Sequence, residues 1–311
     1  MDKKRKILAI GLSVVILTAL GTGGYFIWYT LYEPNEEDIA GFLQNSREIL
    51  RGAGDRYVNT SGKNVKIFFM LGQSQMVGFG RYDEYPEEMR LERENVLRLE
   101  DEGWVMQKPR EMYSGPEISF ANDMIQHDNN TIIGIIKVAI GGIGIRTFIP
   151  DWTWDGAQLT GDGKIGPLYR IIEEKIEQVK TICNVEFAGI MWKQGESDML
   201  ARKAAEGYLN QMTAITEEIR KDTGVADLPL FVATYANNSM LAECGYTNRQ
   251  IEERKYGLVV IEALADSENV ISNTTVVAHG NLPLVSDNLH FSTAGLVTLG
   301  EMFAEAFLAA V

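Results

Sequence analysis

Three residues whose chemistry together suits ester cleavage stand far apart in this chain: Ser74, Asp287 and His290. Ser74 follows an apolar run, Val65–Leu71, that stops abruptly at Gly72-Gln73-Ser74. A buried strand ending in a tight turn lifts a hydroxyl above the sheet edge. Asp287 and His290 lie three residues apart beside the C-terminal apolar segment, an offset at which a carboxylate can orient an imidazole. A nucleophile, a base and an orienter are the parts of covalent acyl transfer. The turn is not the Gly-x-Ser-x-Gly elbow of lipases, because Met76 takes the last glycine position. A lone Gly-x-Ser is usually only a turn, so the downstream pair carries the reading. Of the other histidines, His127 sits at a polar helix end and His279 at a strand end, in a capping or pocket position.

The elements that must position these residues follow from hydrophobic periodicity. Strands are expected at Val65–Leu71, Thr131–Ala139, Val185–Trp192, Pro229–Tyr235 and Val270–Ala278. Helices are expected near Ile118–His127, Leu168–Ile182, Ala201–Asp222, Thr247–Asp266 and Thr293–Ala309. In the second of these, Leu168, Ile171, Ile172, Ile176 and Val179 make one apolar stripe. Apolar strands separated by helices imply a three-layer α/β/α fold around a mostly five-stranded parallel sheet. Ligands of such sheets bind beyond the carboxyl ends of the strands. Ser74, Gly142 and Gln194 each follow a strand candidate, so all three fall on that edge.

Four ordered blocks then carry a resemblance. Gly72-Gln73-Ser74-Gln75-Met76, Ala139-Ile140-Gly141-Gly142-Ile143, Trp192-Lys193-Gln194-Gly195-Glu196-Ser197-Asp198 and Asp287-Asn288-Leu289-His290-Phe291 resemble the blocks of the SGNH-type carbohydrate acetylesterases. That group includes sialate O-acetylesterases and some acetylxylan esterases (carbohydrate esterase family 6). The resemblance runs over residues 65–307. It implies an SGNH, flavodoxin-like fold and a metal-independent, cofactor-free serine esterase acting on an O-acetylated carbohydrate. By that resemblance Ser74, Asp287 and His290 are catalytic, and the oxyanion hole is formed by the Ser74 N–H, the Gly142 N–H and the Gln194 side-chain amide. Gln73 and Glu196 are supporting residues, Glu196 fixing its loop or supporting the histidine. The chain departs from the family pattern at Gln75, where Asn is usual, and at Ile143, where Thr is usual. Both departures bear on substrate preference more than on catalysis. A non-catalytic carbohydrate-binding protein with a decayed site, or a lipolytic or thioesterase relative, are the competing readings.

At the N-terminus, Lys3-Lys4-Arg5-Lys6 precedes an uncharged run over residues 7–32, long enough to span a bilayer. The division expected is a cytoplasmic basic tail over 1–6, a transmembrane signal anchor over 7–32, a linker with a short amphipathic helix over 33–64 and the esterase domain over 65–311. Positive charge ahead of the run sends the remainder outward, giving a single-pass protein with an extracytoplasmic domain. Secretion after cleavage near Gly21 is the competing reading. The net charge is −14, and the first 32 residues hold four cations and one anion, leaving −17 beyond them. Such a surface repels phosphate backbones and argues against nucleic-acid partners. Cys183 and Cys244 match no metal spacing, and spacing leaves open both their pairing and the oligomeric state. Gly142-Ile143-Gly144 lacks the third glycine of a dinucleotide loop. Trp152 and Trp154 either pack or stack on a sugar.

Overall fold

Residues Ile67, Phe68, Phe69, Met70 and Leu71 are all fully buried, because a central parallel strand is covered on both faces and has no polar side to show. The computed structural model describes residues 33–51, 56–235 and 247–311. The expected tail over 1–6, the membrane segment over 7–32 and Cys244 lie outside the described residues. The elements run α1 (Glu36–Leu50), β1 (Asn64–Gly72), α2 (Ser74–Val77), β2 (Val96–Glu100), β3 (Gly103–Met106), α3 (Glu117–His127), β4 (Ile133–Ala139) and α4 (Trp154–Ala157). They continue as α5 (Leu168–Ile182), β5 (Asn184–Lys193), α6 (Arg202–Glu206), α7 (Tyr208–Thr223), β6 (Leu230–Tyr235), α8 (Asn248–Glu253), α9 (Gly257–Val270), β7 (Thr274–His279) and α10 (Thr293–Ala310).

The strands form a sheet of seven, ordered β3-β2-β4-β1-β5-β6-β7. All neighbours are parallel except β2 and β3. The five expected strands are present, and the expectation of five is corrected to seven by the β2–β3 hairpin. That hairpin escapes a periodicity search because Arg98 and Glu100 interrupt its apolar positions. The two charges are buried as an ion pair with each other, which satisfies them without water. Two expected helices are each divided, α6 from α7 at Gly207 and α8 from α9 at residues 254–256. Helix α9 also runs through Val270, so β7 starts at Thr274 rather than Val270.

Alternate side chains of β1 face opposite layers. Phe68 meets Phe120 of α3 and Phe307 of α10 edge-on, at 4.9 and 5.0 Å between centroids, while its neighbour Phe69 stacks on Phe187 of β5 at 5.8 Å. Helix α10 is, among the described residues, the one helix long and apolar enough to cross a membrane by length and composition. Its Leu296, Leu299, Phe303 and Phe307 are buried in the core.

Among the described residues, chain contacts separate 33–41 from those beyond. In the first unit, Asn35 caps the start of α1 by accepting from Glu37 N and Asp38 N at 2.9 and 3.0 Å. In the second, Phe42 stacks on Trp154, Ser46 Oγ accepts from Gly166 N at 3.2 Å, and Arg47 pairs with Glu174 at 2.6 Å. Part of the expected linker, residues 42–47, therefore packs within this unit.

Candidate active site

Strand β1 has β4 on one side and β5 on the other, so the chain changes direction across it and opens a crevice at its carboxyl end. The serine turn grows from that end. A Cβ on Gly72 would lie 2.1 Å from Lys193 O, so only glycine lets β1 finish this close to β5. Gln73 N donates back to Lys193 O at 3.2 Å, and Met76 N and Val77 N donate to Gln73 O at 2.8 and 2.9 Å. The chain thus turns directly into α2, with Ser74 as its first residue.

The loop after β4 approaches the same point. A Cβ on Gly141 would sit 3.9 Å from Ser74 Cβ, and Gly142 has φ of 76°, a left-handed conformation that glycine adopts without penalty. Two buried carboxyls hold the loop: Asp162 Oδ1 accepts from Gly144 N at 2.9 Å, and Asp198 Oδ2 from Ile145 N at 3.0 Å. Burial pushes Asp162 up to about 6 and Asp198 up to about 7, against the hydrogen bonds that favour their ionised forms.

His290 comes from the turn before α10. Asp287 Oδ1 accepts from Leu289 N and His290 N at 2.8 and 3.0 Å, and its Oδ2 meets His290 Nδ1 at 2.6 Å. Asn288 sits at φ 53°, a conformation its short amide side chain tolerates. Burial raises the Asp287 carboxyl, but the bonds from the His290 ring and the two backbone N–H groups outweigh it and hold the carboxyl below its ordinary value. Ser74 and His290 line one pocket of about 550 Å³ together with Gln73, Gly141, Gly142 and Glu196. Among the described residues no hydrogen bond joins the Ser74 hydroxyl to the imidazole, a looseness common in sites without substrate.

Gln75, which the sequence marks only as a departure, has a definite task. Its Nε2 donates to Leu289 O at 2.7 Å and its Oε1 accepts from Phe291 N at 2.9 Å. One amide therefore grips the backbone on both sides of His290. Ile143, the other departure, is buried, and its carbonyl accepts from Gln194.

Gln194, expected as an oxyanion donor, is not among the residues that line the pocket. It is fully buried, and its Nε2 lies 3.0 Å from Gln73 Oε1, 3.0 Å from Ile143 O and 2.7 Å from Asp198 Oδ2. Both its N–H groups are committed inside the protein, where they join the serine turn to the double-glycine loop. Gln73 does line the pocket, and its Oε1 accepts from Gln194 Nε2, Gly195 N and Ser197 N. Glu196 pairs with the fully buried Lys193 and accepts from Tyr235 OH at 3.0 Å. Burial opposes ionisation of Glu196, but Lys193 overrides it and keeps the carboxyl below its ordinary value. Glu196 thus fixes its loop.

The other candidates fall elsewhere. His127 is exposed at the end of α3. His279 is wholly buried at the end of β7, and its Nδ1 meets Gly280 O at 3.2 Å. Trp154 packs on Phe42, and neither it nor Trp152 lines the pocket. Among the described residues no group of three His, Cys, Asp or Glu side chains is placed to hold a metal.

The profile of the family described as carbohydrate esterase, sialic acid-specific acetylesterase, matches residues 64–309. A probable carbohydrate esterase of Arabidopsis thaliana is 29% identical over 196 residues, a stretch covering 62% of this chain and 63% of that protein. The crystal structure of an Arabidopsis thaliana protein superposes with a TM-score of 0.60 at 26% identity, covering 78% of this chain and 98% of that one. The fold is shared with NanS, at a TM-score of 0.56 and 14% identity over 80% of this chain and 98% of that one. It is also shared with a carbohydrate acetylesterase of Xanthomonas citri, at 0.51 and 15% over 78% and 55%. The chain belongs to the carbohydrate esterase, sialic acid-specific acetylesterase family, a family of carboxylic ester hydrolases.

Proposed function

We propose that this protein is a serine esterase that removes O-acetyl groups from a carbohydrate through an acetyl-enzyme. The observation that carries the reading is the 2.6 Å Asp287–His290 contact in the pocket that Ser74 shares. Ser74 Oγ attacks the acetyl carbonyl while His290 Nε2 takes its proton, and Asp287 holds the proton on Nδ1 and stabilises the imidazolium. His290 returns the proton to the departing sugar oxygen. Water, deprotonated by the same imidazole, then releases acetate. The oxyanion is met by the Ser74 and Gly142 N–H groups, each donor of this kind contributing about 2.7–4 kcal/mol in acyl-transfer precedents. Gln73 takes the third place expected of Gln194, because its Oε1 is engaged and its amide nitrogen is the end left for substrate.

Acetate release from mono-O-acetylated N-acetylneuraminic acid tests the reading, together with acid-quench mass spectrometry for an acetyl group on Ser74. Ser74→Ala and His290→Ala should each lower kcat by several orders of magnitude, and the double variant should fall little further, because they serve one step. A wild-type protein that binds acetylated sugars and cleaves no acetyl ester would install the decayed-site reading instead. The reading also includes a signal anchor over residues 7–32 with the esterase domain outside, supported by Lys3–Lys6 ahead of the apolar run. Resistance to carbonate extraction is expected, and free mature protein in the medium would refute it.

A further inference from the structure

The pocket around Ser74 is far larger than an acetyl group, and its outer wall is aromatic. Phe79 and Tyr113 line it together, although ester hydrolysis itself needs neither. Their rings cross at 74° with centroids 5.7 Å apart, and Phe79 stacks on the His290 imidazole at 4.2 Å and 22°. An aromatic series therefore runs from the base to the pocket rim, where Tyr113 is 50% exposed.

Tyr113 stands there in an unfavourable conformation. Its φ is 67°, a region that bulky side chains rarely enter. An isolated antiparallel bridge holds it: Gly80 N donates to Ser114 O at 2.9 Å and Ser114 N to Gly80 O at 3.1 Å. Ser114 Oγ also accepts from Arg110 N at 2.7 Å. The bridged residues directly follow Phe79 and Tyr113, so one small piece of backbone sets both rings. A half-exposed tyrosine returns little burial for this constraint, and backbone strain over-determined by its surroundings clusters at ligand sites.

We propose that Tyr113 is the platform on which a pyranose ring of the substrate stacks, presenting its acetyl ester to Ser74. The inference rests on the esterase reading and adds the subsite for the alcohol half of the substrate. A pyranose offers a face of C–H bonds, slightly positive, that suits the electron-rich face of an aromatic ring. Its hydroxyls stay at the ring edge, within reach of polar groups such as Ser197 and Arg254, which line the same pocket. A pocket of about 550 Å³ falls in the range of small-molecule sites, with room for a sugar beyond the acetyl group.

The test compares kcat/KM for mono-O-acetylated N-acetylneuraminic acid and mono-O-acetylated xylobiose with kcat/KM for ethyl acetate, in Tyr113→Phe, Tyr113→Leu and Tyr113→Gly. The selectivity for sugar over ethyl acetate should fall at least tenfold in Tyr113→Leu and Tyr113→Gly, chiefly through KM, and persist in Tyr113→Phe. A tyrosine that merely props Phe79 against His290 would lower all substrates in parallel, which overturns the platform. So does a loss in Tyr113→Phe equal to that in Tyr113→Leu, or a folded Tyr113→Gly with selectivity within twofold of wild type. Calorimetric titration of Ser74→Ala and Ser74→Ala/Tyr113→Leu with the same sugars keeps this separate from the esterase reading. At least tenfold weaker binding by the double variant supports the platform even if wild type releases no acetate, and equal binding overturns it.

Discussion

Asp287→Asn is the sharpest probe of the mechanism, because the carboxylate has three donors to satisfy and an amide has one oxygen. In the native turn Asp287 accepts from Leu289 N, His290 N and His290 Nδ1 at 2.8, 3.0 and 2.6 Å. If the amide oxygen stays with the two backbone N–H groups, the NH₂ faces Nδ1 and forces the imidazole proton onto Nε2. His290 then cannot accept the serine proton, a tautomer error that lowers kcat about 10⁴-fold in serine-protease precedents. That is about 5.4 kcal/mol of barrier at 1.36 per decade. If the amide flips, the tautomer survives but the NH₂ confronts two N–H donors, forfeiting two bonds of about 1 kcal/mol each. Two bonds outweigh one, so the first orientation dominates, and a loss of about 10³–10⁴ in kcat is expected. Stability should change little, since the Asp287 side chain is 43% exposed and its charge is screened by solvent. Steady-state acetate release at saturating sugar ester, with circular dichroism to verify folding, measures both. A folded Asp287→Asn protein within tenfold of wild-type kcat would refute the assigned role.

Gln75→Ala should lower kcat by about one to two orders of magnitude with a small rise in KM, because His290 loses its backbone clamp while nucleophile and base remain; an unchanged kcat would show that the turn needs no clamp. Gln73→Glu keeps the Oε1 acceptor for Gly195 and Ser197 but replaces the amide donor, so kcat should drop about 10²-fold or more with the fold retained; wild-type kcat would remove Gln73 from the oxyanion hole. Burial first, and then the charge of Lys193, lowers His279 from 6.5 to about 3, so the unfolded chain binds the proton that the folded one refuses. Its contribution is complete above pH 6.5 and fades as pH falls towards 3, with a ceiling on the order of 5 kcal/mol. Asp162 and Asp198 act oppositely from about pH 4 to 7, since both are raised. The informative measurement is therefore the difference in urea-unfolding free energy between wild type and His279→Asn across pH 3.5–7.5. A difference that does not change with pH would deny the buried neutral histidine.

The parallel layers were legible in the sequence because burial on both faces leaves no room for polar residues. Leu168–Ile182 matches its helix residue for residue, and strands β1, β4, β5 and β6 fall within two residues of the apolar runs. The β2–β3 hairpin was not legible, since the burial of Arg98 and Glu100 depends on their meeting each other. The three proposed catalytic residues could be found because each is fixed by a local device: a strand end, a close glycine, a carboxylate at a three-residue offset. Tyr113 carried no signal. Its position depends on a bridge to Gly80 and a φ that the sequence around it does not demand. Of the two tryptophans that could either pack or stack on a sugar, Trp154 packs on Phe42, and neither lines the pocket.

Three glutamines account for the part of the site that motif spacing could not supply. Gln75 joins the serine turn to the His290 backbone, Gln194 joins Gln73 to Ile143 and Asp198, and Gln73 gathers Gln194, Gly195 and Ser197. Apart from the Gln194–Asp198 bond, which lies within the loop after β5, each tie runs between loops that follow different strands. An amide suits this position because it donates at one end and accepts at the other, so it can satisfy a buried N–H and a buried C=O at once without bringing a charge into the core. A carboxylate at residue 75 would accept from Phe291 N but set its second oxygen against Leu289 O. An asparagine there, one methylene shorter, would have to reach both from a nearer backbone. The longer side chain at position 75 is therefore coupled to where the His290 turn sits. A departure from the family pattern that looks local in sequence ties the serine turn to the backbone on both sides of His290.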